Sequence, residues 1–198
     1  QHYNARLESL KNIAEKYEGY GNSVKKIMES NSISSQGVHG VIADIIKTEK
    51  KYELAIETAL GGRIQNIVTD TEDTAKNLID YLKKNKFGRA TFIPLTAVKE
   101  SEDIKDVPIL NEDGVLGTAS KLVSADRIYS PLVSNLLGRI IVVSDIEKAV
   151  VIAKKYRYEY RLVTLEGDLF NTGGSISGGA YKNTSNLLGR KRELEELE

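Results

Sequence analysis

The stretch with the most chemical promise is Asn171-Thr172-Gly173-Gly174-Ser175-Ile176-Ser177-Gly178-Gly179. Glycines and hydroxyls at this density are the material of phosphate loops and acyl-transfer elbows. A phosphate loop needs a glycine, four residues, then Gly-Lys-Ser/Thr, so that the lysine reaches the phosphates. Gly174 and Gly179 have that spacing, but Ala180-Tyr181 follows. A nucleophile elbow, Gly-x-Ser-x-Gly, needs serine at its centre; between Gly174 and Gly178 the centre is Ile176. Gly19-x-Gly21 lacks the third glycine of a dinucleotide fingerprint. Two readings stay open: a flexible surface loop, or a strand whose glycine doublets leave its edge bare for another backbone to approach.

The other reactive residue types give no constellation. There is no cysteine, which excludes disulfides, thiolate zinc sites and cysteine nucleophiles. His2 and His39 are the only histidines and lie far apart in sequence, so an imidazole metal site is not expected. His39, between Val38 and Gly40, is expected to be partly buried. Asp70 and Asp145 occupy matching places before helices, where capping accounts for them better than paired-carboxylate chemistry. Tyr156, Tyr158 and Tyr160 alternate as residues entering a strand or rimming an interface would. Lys plus Arg and Asp plus Glu number 28 each, so nucleic-acid binding would depend on local patches. No apolar run approaches the roughly 20 residues of a membrane span. No catalytic residue, metal or cofactor is expected, nor a small-molecule substrate or membrane partner.

The elements around these residues repeat. Gly62-Arg63-Ile64-Gln65-Asn66-Ile67-Val68-Thr69-Asp70 resembles Gly138-Arg139-Ile140-Ile141-Val142-Val143-Ser144-Asp145. Each is a glycine stop, a β-branched strand and a helix start. Thr69 with Glu72, and Ser144 with Glu147, fit the capping box. The helices that follow carry Ala75, Leu78, Ile79 and Leu82, and Ala149, Ile152, Ala153 and Tyr156, at helical spacing. Strands are predicted next at 90–93 and 161–165, and a hairpin around Glu166-Gly167-Asp168. A helix through Tyr52, Ala55, Ile56 and Ala59 precedes the first copy, and one over 130–137 the second. The fold class is therefore α+β, with two small subdomains, each with partly parallel pairing. The predicted boundaries are 19–95 for the first, 96–120 for a charged, turn-rich linker and 121–184 for the second.

Helices are predicted at both ends. Leu7, Leu10, Ala14 and Tyr17 are spaced 3, 4, 3, and the helix over 5–17 stops at Gly19-Tyr20-Gly21. Leu187, Leu194 and Leu197 continue such a seam, with Arg190 between them. These are either end helices lying on the domain or stubs (1–18 and 185–198) of an antiparallel coiled coil. Starting at Gln1 and stopping within Glu193–Glu198, the chain reads as part of a longer protein.

In this setting Gly37-Val38-His39-Gly40, Ala59-Leu60-Gly61-Gly62, Phe87-Gly88-Arg89-Ala90-Thr91-Phe92-Ile93-Pro94-Leu95 and the glycine-rich segment after Gly167-Asp168 resemble, in order, the hinge domain of prokaryotic SMC (structural maintenance of chromosomes) proteins. The similarity covers about residues 19–186. It implies a two-subdomain hinge that dimerises two-fold with a second copy and closes two coiled-coil arms into a V or ring. Each ring contact would join one subdomain to the other subdomain of the partner. Gly173, Gly174, Ser175, Ile176, Gly178 and Gly179 become dimer-interface positions. The resemblance places ATP hydrolysis in distant head domains, and it implies a cytoplasmic, nucleoid-associated role in chromosome condensation and segregation. A cysteine-based zinc hook is excluded.

The resemblance also implies DNA contact near the coil junction, for which Lys83, Lys84, Lys86, Arg89 and Lys99 are the candidates. Lys25-Lys26, Lys154-Lys155-Arg157 and Arg190-Lys191-Arg192 are further basic clusters. Cations are favoured at a helix C-terminus whatever they bind. Without interleaved aromatics, binding would be non-specific, through phosphates and salt-sensitive. The alternative function is a nucleic-acid-binding module whose dimerisation is incidental.

Overall fold

The computed structural model describes residues 2–8, 19–30, 37–105, 107–180 and 187–197. After helix α1 (Asn22–Glu29), the chain builds the same succession twice. The first copy runs β1 (Val38–Val41), α2 (Ile42–Ile45), β2 (Lys47–Thr48), a short turn into α3 (Glu53–Leu60), β3 (Ile67–Thr69), α4 (Glu72–Asn85) and β4 (Phe92–Pro94). The second runs β5 (Val115–Thr118), a helical turn at Ala119–Leu122, β6 (Val123–Ser124), α5 (Ser130–Leu137), β7 (Ile140–Val143), α6 (Ile146–Lys155) and β8 (Arg161–Thr164). Two short strands, β9 (Leu169–Phe170) and β10 (Ile176–Ser177), and helix α7 (Leu187–Leu197) complete the order.

The repeat starts earlier than the strand–helix pattern suggested. β1 pairs antiparallel with β3, and β5 with β7, each ladder broken by a bulge, between Val38 and Gly40 and between Val115 and Gly117. The carbonyl of Gly37 accepts from the Asp70 N–H (2.9 Å), that of Gly114 from the Ser144 N–H (2.8 Å). Both glycines have positive φ, +87° and +93°. A Cβ there would lie 2.5 Å from Asp70 Oδ1 or from Lys148 Cδ, so close approach as well as conformation requires glycine. The signal is Gly-Val-x-Gly, present as Gly37-Val38-His39-Gly40 and Gly114-Val115-Leu116-Gly117. The second copy of this motif falls inside the predicted linker, yet Val115–Thr118 is a sheet strand and Ile109 is 1% exposed. The bulge turns His39 out to an exposed position instead of the half-buried one expected.

β3 and β4 are parallel, as are β7 and β8. Crossover helices α4 and α6 supply the cover that parallel strands need. β3 and β7 are buried at every residue, and Ala75, Leu78 and Leu82, or Ala149, Ile152 and Ala153, form the buried faces of the two helices. Ile79, predicted in the stripe, is 39% exposed.

The chain forms two compact units that do not follow the repeat. The first comprises Gln1–Ile46, Gly62–Val98 and Ser185–Glu198, the second Lys47–Gly61 and Lys99–Thr184. Residues 47–61 therefore lie with the second half, although their sequence position suggests the first. The reason is pairing: Lys47 and Thr48 form a ladder with Ser124 and Val123, and the Thr48 hydroxyl donates to the Leu122 carbonyl (2.6 Å). α3 buries Ala55, Ile56, Ala59 and Leu60 and packs in this unit on β8 and α5. The first unit contains the three-stranded sheet β1-β3-β4, the second the five-stranded sheet β10-β9-β8-β7-β5.

Helix ends correct the predicted caps. Thr71, not Thr69, caps α4, its hydroxyl accepting from the Thr74 N–H (3.3 Å), while Asp70 Oδ1 accepts from the Thr71 N–H (2.6 Å) and the Thr74 hydroxyl (2.5 Å). Asp145 caps α6, as its place before the helix indicated, by accepting from the Lys148 N–H (2.9 Å), and Ser144 of the expected capping box does not. The Thr74 hydroxyl above all holds Asp70 below the usual carboxylate range, and the Lys148 N–H does the same for Asp145. Both helices end in a left-handed turn without glycine. Lys86 has φ +55°, and Phe87 N–H returns to the Leu82 carbonyl (3.0 Å); Arg157 and Tyr158 have φ +57° and +58°, and Tyr158 N–H returns to Ala153 (2.9 Å). Tyr156 and Tyr158 thus sit in the turn that ends α6, whereas Tyr160 immediately precedes β8; all three are half-buried against the core of the second unit.

At the termini, residues 2–8 are helical; the rest of the helix predicted over 5–17 lies outside the described residues. Arg6 Nη2 donates to Glu193 Oε2 of α7 (2.9 Å), joining the two end helices.

A left-handed conformation costs a residue with a Cβ about 1–2 kcal/mol, partly offset by glycine's greater unfolded-state entropy. Lys86→Gly and Arg157→Gly are each expected to stabilise the fold by about 0.5–1 kcal/mol, measured by urea unfolding.

Candidate functional site

The glycine-rich segment contains a two-residue strand whose outer edge has no partner among the described residues. The β8–β9 hairpin delivers it. Gly167 has φ +89°, its N–H donates to the Thr164 carbonyl (3.0 Å), and the Thr164 hydroxyl donates to Asp168 Oδ2 (2.7 Å) and accepts from the Asp168 N–H (3.0 Å). A second turn follows at once. Asn171 N–H donates to the Ser175 carbonyl (2.9 Å), Gly174 N–H to the Asn171 carbonyl (3.1 Å) and Gly173 N–H to the Tyr158 carbonyl (3.0 Å). Gly173 and Gly174 take φ +95° and +114° to make this reversal.

β10 then pairs antiparallel with β9, Ile176 opposite Phe170 and Ser177 opposite Leu169, and lies at the end of the five-stranded sheet. Alternation along an antiparallel ladder fixes which groups are engaged. The Ser175 carbonyl faces β9, so Ser177 faces it too, and the backbone N–H and C=O of Ile176 face outward. Residues 175–180 are all exposed, and Ile176 is 51% exposed. A hollow of about 260 Å³ lined by Thr58, Gly167, Leu169, Ser177, Gly178, Gly179 and Ala180 lies beside the strand. The arrangement offers the backbone donor and acceptor of Ile176, its apolar side chain and a recess. It brings together Gly173, Gly174, Ser175, Ile176, Gly178 and Gly179, but not in equal roles. A Cβ at Gly173, Gly174 or Gly179 would meet nothing within 4 Å, whereas at Gly178 it would lie 2.6 Å from Asp168 Oδ1. Gly178 therefore also serves the hairpin.

The basic candidates divide between the units. Lys83, Lys84, Lys86 and Arg89 are exposed around the end of α4 in the first unit. Lys99 belongs to the second unit, its carbonyl accepting from Asn135 Nδ2 (3.0 Å). Sequence reasoning missed the part that α1 plays in holding the basic turn. Asn22 Nδ2 donates to the Phe87 carbonyl (3.2 Å), the Ser23 hydroxyl donates to the Arg89 carbonyl, and Lys26 Nζ lies 5.1 Å from the centre of the Phe87 ring. The high amphipathicity of residues 22–29, with Val24 and Ile27 on one face, was the available signal. Of the other clusters, Lys155 is bonded to Glu112 (2.6 Å), which the lysine chiefly holds below the usual carboxylate range. Among the described residues no group of three or more His, Asp or Glu side chains could hold a metal ion.

Because the Asp168 carboxylate occupies the space a Gly178 methyl would need, Gly178→Ala is expected to lower stability by about 1–3 kcal/mol. The loss should shrink in an Asp168→Ala background, measured by a double-mutant cycle in urea.

A family model described as SMC proteins flexible hinge domain matches residues 35–153. The chain is 42% identical over 196 residues to the chromosome partition protein Smc of Halothermothrix orenii and 40% identical over 202 residues to that of Bacillus subtilis. These alignments cover 98% and 100% of the chain but only 16% and 17% of the relatives. The chain thus spans about a sixth of the length of these curated relatives. Among solved structures, the Geobacillus stearothermophilus SMC hinge domain, crystallised as an asymmetric dimer, matches with a TM-score of 0.88 and 40% identity, over 100% of this chain and 80% of that one.

Proposed function

Because the chain belongs to the flexible hinge domain family of SMC proteins, we propose that it is a dimerisation hinge. Two copies associate and join two coiled-coil arms of a chromosome-partitioning protein into a V or ring. The observation that carries this reading is the outward face of β10, which has no strand partner among the described residues, at the end of a five-stranded sheet. Exposed edge strands pair readily with a second chain. Gly173, Gly174, Ser175, Ile176, Gly178 and Gly179 form the contact. Their small side chains let a partner backbone approach, and Ile176 supplies apolar area. In a two-fold dimer each contact occurs twice, so the second forms at the high effective concentration created by the first. Binding is the whole task of this segment, and ATP chemistry belongs to other parts of the longer protein. The Geobacillus hinge domain, itself a dimer, supports the same reading.

Ile176→Glu tests it, because the side chain is exposed and a carboxylate there need not disturb the core. The parent chain is expected to sediment as a dimer at micromolar concentration. The variant should be a monomer with an unchanged circular dichroism spectrum. A dimer of undiminished affinity would remove β10 from the interface.

A second, compatible activity follows from Lys83, Lys84, Lys86 and Arg89, four exposed cations around one helix end. We propose that they bind duplex DNA weakly and without sequence preference through phosphates. Lys83→Glu with Lys84→Glu should weaken binding at least tenfold and flatten the slope of log affinity against log salt by about two. Unchanged binding in a fluorescence-anisotropy titration would retire the assignment.

A further inference from the structure

Arg190-Lys191-Arg192 reads in sequence as a basic surface cluster, yet its middle residue is committed elsewhere. Lys191 Nζ donates to three backbone carbonyls: Ala43 (3.4 Å), Ile46 (3.1 Å) and Asp44. These lie at the end of the short helix α2, where Ile46 N–H returns to Ile42 (3.2 Å) and the last carbonyls need other donors. Ala43 and Ile46 are buried, at 1% and 2% exposure, so water satisfies their backbone poorly and an internal donor matters more. An ammonium has three N–H donors and a positive charge, which matches three converging carbonyls at the negative end of a helix. A guanidinium, planar and fork-shaped, cannot converge on them in the same way. The neighbouring Arg192 bonds along its own helix to Glu196 (3.0 and 3.1 Å).

We infer that Lys191 is the positioning residue that sets the direction of α7 relative to the three-stranded sheet within the first unit. The inference rests on reading α7 as the opening turns of a coil arm. Two anchors fix a helix axis. Leu187 and Leu188, both buried, hold its first turn, and Lys191, one turn further on, holds the second. Arg6, through Glu193 (2.9 Å), ties the other end helix to the same segment. The arm angle is thereby fixed at α2, whose backbone continues directly from β1 in the three-stranded sheet.

The chain contains no cysteine, so spin labels can be placed without background. Labels at Asn77→Cys on α4 and Glu195→Cys on α7, diluted with unlabelled protein to isolate distances within one chain, report the arm direction by double electron–electron resonance. The parent is expected to give a narrow distribution and Lys191→Met one at least twice as wide. Glu196→Gln, which removes a neighbouring exposed charge, should leave the width unchanged. An unaltered width in Lys191→Met overturns the inference. A measurement on the unsubstituted chain guards against misfolding of the variant: Lys191 should be acetylated at least fivefold more slowly than the exposed Lys84, and equal rates would also overturn it. Failure of the dimer reading would show in sedimentation instead, without affecting either result.

Discussion

A backbone amide and carbonyl removed from water must find partners, and at the last strand of a sheet one side of the backbone has none. Proteins ordinarily blunt such edges with charge, proline or a covering element. Among the described residues β10 has none of these: serines and glycines flank Ile176, and residues 175–180 are all exposed. Two turns are spent on presenting this edge, one pinned by Thr164 and Asp168, the other built on positive φ at Gly173 and Gly174. In the proposed dimer a second copy of the chain would meet this pairing, with the glycine doublets leaving room for its backbone. On that proposal the glycine-rich segment serves as clearance for a partner backbone.

The internal repeat determines where that edge lies. Each copy carries a bulged strand, a buried central strand and a parallel partner delivered by a crossover helix. In the second copy the sheet is extended by β9 and β10 beyond β8. In the first, β4 is the last strand of its sheet. The copies are also interleaved, since β2 of the first pairs with β6 of the second and carries α3 with it. Pairing of this kind between sequence-distant strands is invisible to periodicity, which explains why residues 47–61 read as part of the first half.

Much of the architecture was legible because it depends on local chemistry. Glycine stops at Gly61 and Gly138, the β-branched runs of β3 and β7, and the spacing of Ala75, Leu78 and Leu82 each encode an element within a few residues. The hairpin around Gly167 was equally readable. The misses have a common cause, in that they turn on one residue's backbone or on a distant partner. The capping boxes failed because Thr69 and Ser144 lie at the strand end of the turn: Thr71 caps α4 instead, while Asp145 caps α6 as its place before the helix indicated. The three tyrosines alternate in burial as a strand's would, but Arg157 and Tyr158 achieve it in a left-handed turn. His39 faces solvent because of a bulge, which the Gly-Val-x-Gly motif, once seen in both copies, would have signalled. At the candidate site, the sequence left loop and strand undecided. The deciding fact was a ladder between Ile176 and Phe170. Lys191 shows the same limit, since a lysine in a basic triplet looks like surface until the carbonyls of α2 are placed beside it.

Edge pairing has a signature at single amides. Ser177 faces β9 within the chain, whereas Ile176 faces outward. Site-resolved hydrogen exchange of the unmodified chain over a range of concentrations separates the two. Pairing through β10 predicts that the Ser177 amide is protected at every concentration, while Ile176 becomes protected only as the chain associates, in step with the dimer fraction. An Ile176 amide that exchanges freely in the fully associated protein would contradict the central claim, whatever the oligomeric state.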